Sequence, residues 1–170
     1  MGPGANESAA VATLKYLAQC QEQFRSECHL DRDGDDRGEY GLIAELGAQD
    51  STRLTRALPA MMIPGSIWSR EEAGRFVRSG YHFQLYLPRG EKGWVPASLS
   101  EVRDSDADAA EQRFLWFAWP SSYGNSEEPC FFADQSGQVK KADNAKWKLS
   151  GTSKVPWPEL ALHPDFVPAG

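Results

Sequence analysis

The chain has 170 residues and a mass of 18.8 kDa, and its 41% hydrophobic and 25% charged residues are typical of one folded domain. No apolar run approaches the roughly 20 residues that a membrane-spanning helix needs. With 18 basic and 24 acidic residues the net charge is -6, which disfavours nucleic acid as a partner because a phosphate backbone attracts a basic surface.

The first predicted element is a long amphipathic helix over residues 6–27. Apolar residues fall on one face at 3.6 residues per turn, and Gln21 interrupts that face. The face comprises Ala10, Leu14, Leu17, Phe24 and Cys28. Residues 1–5 contain Gly-Pro-Gly and lack the features of a signal peptide, so we interpret them as an engineered start joined to a helix that was cut in mid-course.

An acidic loop follows the helix and holds the candidate metal ligands Asp31, Asp33 and Asp35. Alternating carboxylates in a Gly-rich turn can direct their oxygens at one calcium ion. The EF-hand pattern is broken, since Asp36 stands where glycine is required and Leu42 stands at the twelfth position. A solvated turn with hydrogen bonds to its own backbone is the alternative, and we prefer it. We expect no other cofactor.

The next segments are irregular. One helical turn is predicted over residues 42–46, and a loop with short pieces of helix over 48–79. A second acidic run is Ala-rich and predicts a short exposed helix; it contains Asp104, Asp106, Asp108 and Glu111.

Strands are predicted over residues 80–87, 113–119, 129–134 and 137–141, with Gln135-Ser136-Gly137 as a hairpin turn. The fold class is therefore α+β, a long N-terminal helix packed on an antiparallel sheet of three to four strands, within a domain over residues 6–150. We expect the helix to contact the sheet through Phe83, Leu85, Leu115 and Phe117. Residues 151–170 are rich in proline and predict an extended tail.

Motifs of catalysis are missing from the sequence. His29, His82 and His163 lie in different regions without zinc-ligand spacing, and Ser121 follows a strand without a partner histidine nearby in sequence. We predict that the chain is not an enzyme. We prefer three buried free thiols, although Cys20 or Cys28 could reach Cys130 if its strand crosses the helix.

Three features together resemble type IV pilins and type II secretion pseudopilins, just past their hydrophobic stem. They are the helix that begins Asn6-Glu7-Ser8-Ala9-Ala10, the Asp-rich loop that runs into Gly38-Glu39-Tyr40-Gly41, and the hairpin from Phe131 to Val139. The resemblance covers roughly residues 6–46 and 80–141.

The resemblance implies a structural subunit of a filament in the cell envelope or outside the cell. Its partners would be other pilin-like subunits, and a stem missing here would anchor it in the inner membrane. The alternative is an extracytoplasmic binding module that holds a glycan or peptide with exposed tryptophans. Trp116 and Trp119 face opposite sides of one strand, so one of them could serve that purpose.

Overall fold

The computed structural model describes residues 4–124 and 128–170, so the first three residues of the predicted engineered start lie outside the described part. Helix α1 spans Gly4–Ser26 and buries the predicted face from Ala10 to Phe24. Cys28, also predicted on this face, lies beyond the helix and is half-buried. Gln21 on the same face is buried because its amide donates to the Gly41 carbonyl (2.8 Å) and accepts from the Gly41 N–H (2.9 Å). Among the described residues, none of the helices combines the length and apolarity needed to cross a membrane.

The α+β class is confirmed, and the sheet is larger than predicted. Seven strands pair antiparallel in the described ranges, in the order β1-β2-β4-β5-β6-β7, with β3 also paired to β2. They are β1 (Arg75–Arg78), β2 (Tyr81–Arg89), β3 (Gly93–Pro96), β4 (Leu115–Pro120), β5 (Cys130–Asp134), β6 (Val139–Ala142) and β7 (Val167–Pro168). The additional strands β1, β3 and β7 have at most four residues, which is too short for a clear alternating pattern.

The two faces of the sheet differ from the prediction in one respect. Leu115 and Phe117 do not face α1; they lie on the opposite face, and Trp116 and Ala118 take their place under the helix. The register between β2 and β4 decides which residues face α1, because Trp116 lies directly opposite Leu85 and the two side chains share one face of the sheet. The prediction was wrong because β4 is apolar at every position, so no alternation marks its faces.

Residues 143–166 run over the face opposite α1, and β7 follows them at the edge of the sheet. Leu149, Leu160 and Phe166 are buried there in one cluster with Phe117 and Phe132. Residues 151–170 were predicted as an extended tail, but apolar side chains there pack between the prolines, which exclude regular helix without preventing burial.

Short helices occupy the connections between these elements. They are α2 (Ile43–Leu46), α3 (Gly65–Trp68) and α4 (Ala107–Ala110), and a 3-10 turn over Asp104–Asp106 directly precedes α4. A second 3-10 turn covers Pro158–Leu162. The turn and α4 bring the second acidic run close to the end of α1, where the acidic loop begins.

Candidate metal centre

The acidic loop is held against the domain by the buried residues that follow it. The Glu39 carboxylate is fully buried and accepts from Arg32 twice, from the side-chain Nε (2.7 Å) and from the backbone N–H (2.7 Å). The Tyr40 N–H donates to the Ala110 carbonyl (2.9 Å), and its hydroxyl donates to Glu22 (2.9 Å). The loop is therefore attached to α4 as well as to α1.

Glycine at position 38 permits this close approach. A Cβ atom on Gly38 would lie 1.9 Å from the carbonyl oxygen of Arg25 and 2.8 Å from its carbonyl carbon. Because both atoms belong to the backbone of α1, no side-chain movement could relieve the overlap. The loop consequently returns to the helix end at a single point where only glycine fits.

Four carboxylates from two distant parts of the chain converge beside this anchor. Asp33 and Asp35 from the acidic loop meet Asp108 and Glu111, and one carboxylate oxygen from each lies within 4.8 Å of the others. The two acidic runs that the sequence shows separately thus form one cluster.

Asp31, the third predicted ligand, has a different position. Its carboxylate accepts the backbone N–H groups of Asp35 (3.2 Å) and Asp36 (2.9 Å), so it shapes the loop. It also lies in a second group with Asp33 and Glu39, in which Glu39 already holds Arg32. Asp36 adopts a φ of 65°, the left-handed conformation for which the EF-hand pattern uses glycine.

The second acidic run forms the predicted short helix, but two of its carboxyl residues are buried rather than exposed. Asp106 accepts from the backbone N–H of Gly90 (2.8 Å). Glu111 is only 4% exposed, and its backbone carbonyl accepts from Arg25 Nε (2.6 Å). Tertiary contacts of the run with β2 and α1, which the sequence does not indicate, produce this burial.

The electrostatics of the cluster reflect crowded negative charge. Burial raises the pKa of Glu111 to about 7, and the charges of Asp33 and Asp35 add to the increase. The pKa of Asp33 is raised to about 6, first by desolvation and then by the neighbouring Asp108 carboxyl. Asp35 has a lowered pKa because its carboxylate accepts the Arg37 N–H (2.9 Å).

A serine–histidine pair also forms that sequence reasoning missed. His82 Nδ1 lies 3.0 Å from Ser121 Oγ at the edge of a cleft that Arg75 also lines. Among the described residues no carboxylate contacts the His82 ring, so the pair lacks the group that orients the base in a catalytic triad. Pairing across β2 and β4 brings His82 and Ser121 together, and no sequence motif marks it.

The structure also locates the cysteines and tryptophans that the sequence analysis considered. The thiols of Cys20, Cys28 and Cys130 are free, as preferred from the sequence, but Cys28 is only half-buried and not buried as expected. Trp116 and Trp119 are both fully buried. Comparisons of the chain with protein-family models, with curated proteins and with solved structures found no match.

Proposed function

We propose that this chain is the globular domain of a pilin-like or pseudopilin-like filament subunit, whose activity is assembly rather than turnover. The observation that carries the proposal is the arrangement of α1, which packs one face on the antiparallel sheet and leaves the other uncovered. On the uncovered face Ala12, Lys15, Gln19 and Gln23 are exposed, and Tyr16 beside them is 41% exposed. Such a helix could continue a stem that packs against neighbouring stems.

Burial of the tryptophans supports this proposal over a binding module. A module of that kind would use exposed aromatic rings, and the structure places Trp116 and Trp119 in the two core clusters instead. Trp157 is 43% exposed but belongs to the segment that covers the sheet.

The upstream reading frame is the first test. We expect it to encode a cleavable leader and then about 20 or more apolar residues that continue α1. A reading frame without that segment would overturn the proposal.

Cross-linking in the source cell is the second test. Gln19→Cys places a thiol on the uncovered face of α1. Glu159→Cys places one at an exposed position of the 3-10 turn Pro158–Leu162, on the other side of the sheet. We expect the helix variant to form disulfide-linked multimers in the sheared filament fraction, and the control variant to remain monomeric. Recovery of both variants only as soluble monomers would contradict a filament subunit.

A further inference from the structure

We propose that Asp33, Asp35, Asp108 and Glu111 together bind one Ca²⁺ ion, which ties the acidic loop to α4 and the residue that follows it. This inference is independent of the filament proposal, because it concerns the chemistry of four side chains and not the assembly of the chain. It also changes the ligand set expected from the sequence. Asp31 shapes the loop, and Asp108 and Glu111 complete the site.

The spacing of the carboxylates suits the coordination sphere of calcium. Ca²⁺ binds six to eight oxygens at about 2.3–2.6 Å, so ligands on opposite sides of the ion lie about 4.6–5.2 Å apart. The four oxygens of the cluster lie within 4.8 Å of one another and fit inside that sphere. Because a carboxylate can bind through one or both oxygens, the four groups supply most of the ligands and water supplies the rest.

Glu111 gives an independent indication that a cation belongs here. Its side chain points into the cluster although the residue is 96% buried, and its Oε2 atom has no hydrogen-bond partner among the described residues. A buried carboxylate without a partner is costly, and native proteins compensate such groups by pairing or by metal coordination.

Protein cations do not neutralise the cluster. Within residues 4–124 and 128–170, none of the four carboxylates forms a salt bridge. By contrast, the buried Glu39 and Glu45 nearby each hold an arginine at 2.7 Å. The chain therefore pairs its other buried glutamates in this region, whereas Glu111 has no basic partner among the described residues.

The donor set selects calcium among common metal ions. All four ligands are oxygens, without a cysteine or histidine in the group, whereas zinc prefers nitrogen and sulfur. Mg²⁺ retains several waters and binds through one or two carboxylates, so it gains less from a cluster of four.

The arrangement also accounts for the interrupted EF-hand pattern of the loop. In an EF-hand, carboxylates at alternate positions of the loop are completed by a glutamate at position twelve. Here position twelve is Leu42, which is buried in the core, and Glu111 supplies a carboxylate from a distant part of the chain. Binding would thus join two segments that already meet through the Tyr40 N–H and the Ala110 carbonyl.

The test is a titration of the chelator-treated chain with CaCl₂ by isothermal calorimetry, together with thermal unfolding in calcium and in chelator. We expect one ion per chain, a higher Tm in calcium, and at least tenfold weaker binding of Mg²⁺. An unchanged Tm and no heat of binding at about 10 mM Ca²⁺ would overturn the proposal, because this concentration exceeds the Kd of about 1 mM of the weakest extracellular calcium sites. Equal affinity for Mg²⁺ would overturn the choice of calcium.

Variants identify the ligands. Glu111→Gln keeps the shape of the side chain and removes its charge, so we expect it to weaken Ca²⁺ binding at least tenfold and to raise the Tm in chelator, where repulsion is relieved. Asp108→Asn is a second ligand variant that should behave alike. Asp104→Asn is the matched control, because its side chain is 94% exposed and outside the group, and its Kd should change less than twofold. Unchanged affinity in both ligand variants would refute this ligand set.

Discussion

The contact between Gly38 and the end of α1 predicts a large effect from one methyl group. In Gly38→Ala the new Cβ would lie 1.9 Å from the Arg25 carbonyl oxygen, and contacts under 3.0 Å are essentially unknown for Cβ atoms. The loop must therefore move by more than 1 Å relative to the helix. Because Glu39 follows directly, this shift also displaces its fully buried carboxylate.

We expect Gly38→Ala to reduce the free energy of unfolding by about 3 kcal/mol, the upper part of the usual range for overpacking, because the obstructing atoms are backbone. At about 2–4 °C per kcal/mol for a domain of this size, the Tm should fall by about 6–12 °C. Urea unfolding followed by tryptophan fluorescence measures the change, since Trp116 and Trp119 pass from full burial to solvent.

Gly34→Ala is the matched control in the same loop. Gly34 has a φ of +70°, and a Cβ there would meet no atom of the described residues within 4 Å. Its replacement should cost only about 1 kcal/mol for the left-handed backbone. If Gly38→Ala changed stability by less than about 0.5 kcal/mol, or no more than Gly34→Ala did, the close approach would not be the constraint described here.

Three further predictions concern the core, a histidine and a thiol. Leu17→Ala should lower the free energy of unfolding, measured with urea, by about 2–5 kcal/mol because Leu17 is fully buried. Gln19→Ala, at an exposed position of the same helix, should change it by less than about 0.5 kcal/mol. Equal effects would show that the face of α1 that contains Leu17 is not part of the core. Burial and then the Arg75 charge lower the pKa of His82 in the folded chain, whereas the unfolded chain keeps the ordinary pKa of about 6.5. Between these two pKa values only the unfolded chain binds the proton, so stability should rise with pH across this interval and level off above about pH 6.5. In His82→Gln, the free energy of unfolding measured with urea should rise less between about pH 5 and about pH 7.5 than in the unmodified chain. An unchanged slope would show that another group causes the pH dependence. A thiol reagent should modify only the half-buried Cys28 in the native chain, and all three cysteines in denaturant. Cys20 and Cys130 are buried, and burial raises the pKa of Cys130 to about 12. Rapid reaction of more than one thiol in the native chain would contradict this burial.

The amino-acid sequence by itself determined the elements that depend on near neighbours. The apolar spacing of α1 located its buried face, because helix periodicity is a local property. The turn at Gln135-Ser136-Gly137 located the β5–β6 hairpin, with Gly137 at a φ of 78°. The acidic loop was likewise visible as a turn that could present carboxylates.

Only the tertiary structure decided which distant groups meet. The faces of β4 depended on its register with β2, because a continuous apolar strand has no pattern that separates them. The strands at the sheet edges depended on partners that short segments do not indicate. The carboxylate cluster required the acidic loop and the C-terminal end of α4 to lie together, although Asp35 and Asp108 are far apart in the chain. Such proximity is a property of packing, and local patterns of side chains do not encode it.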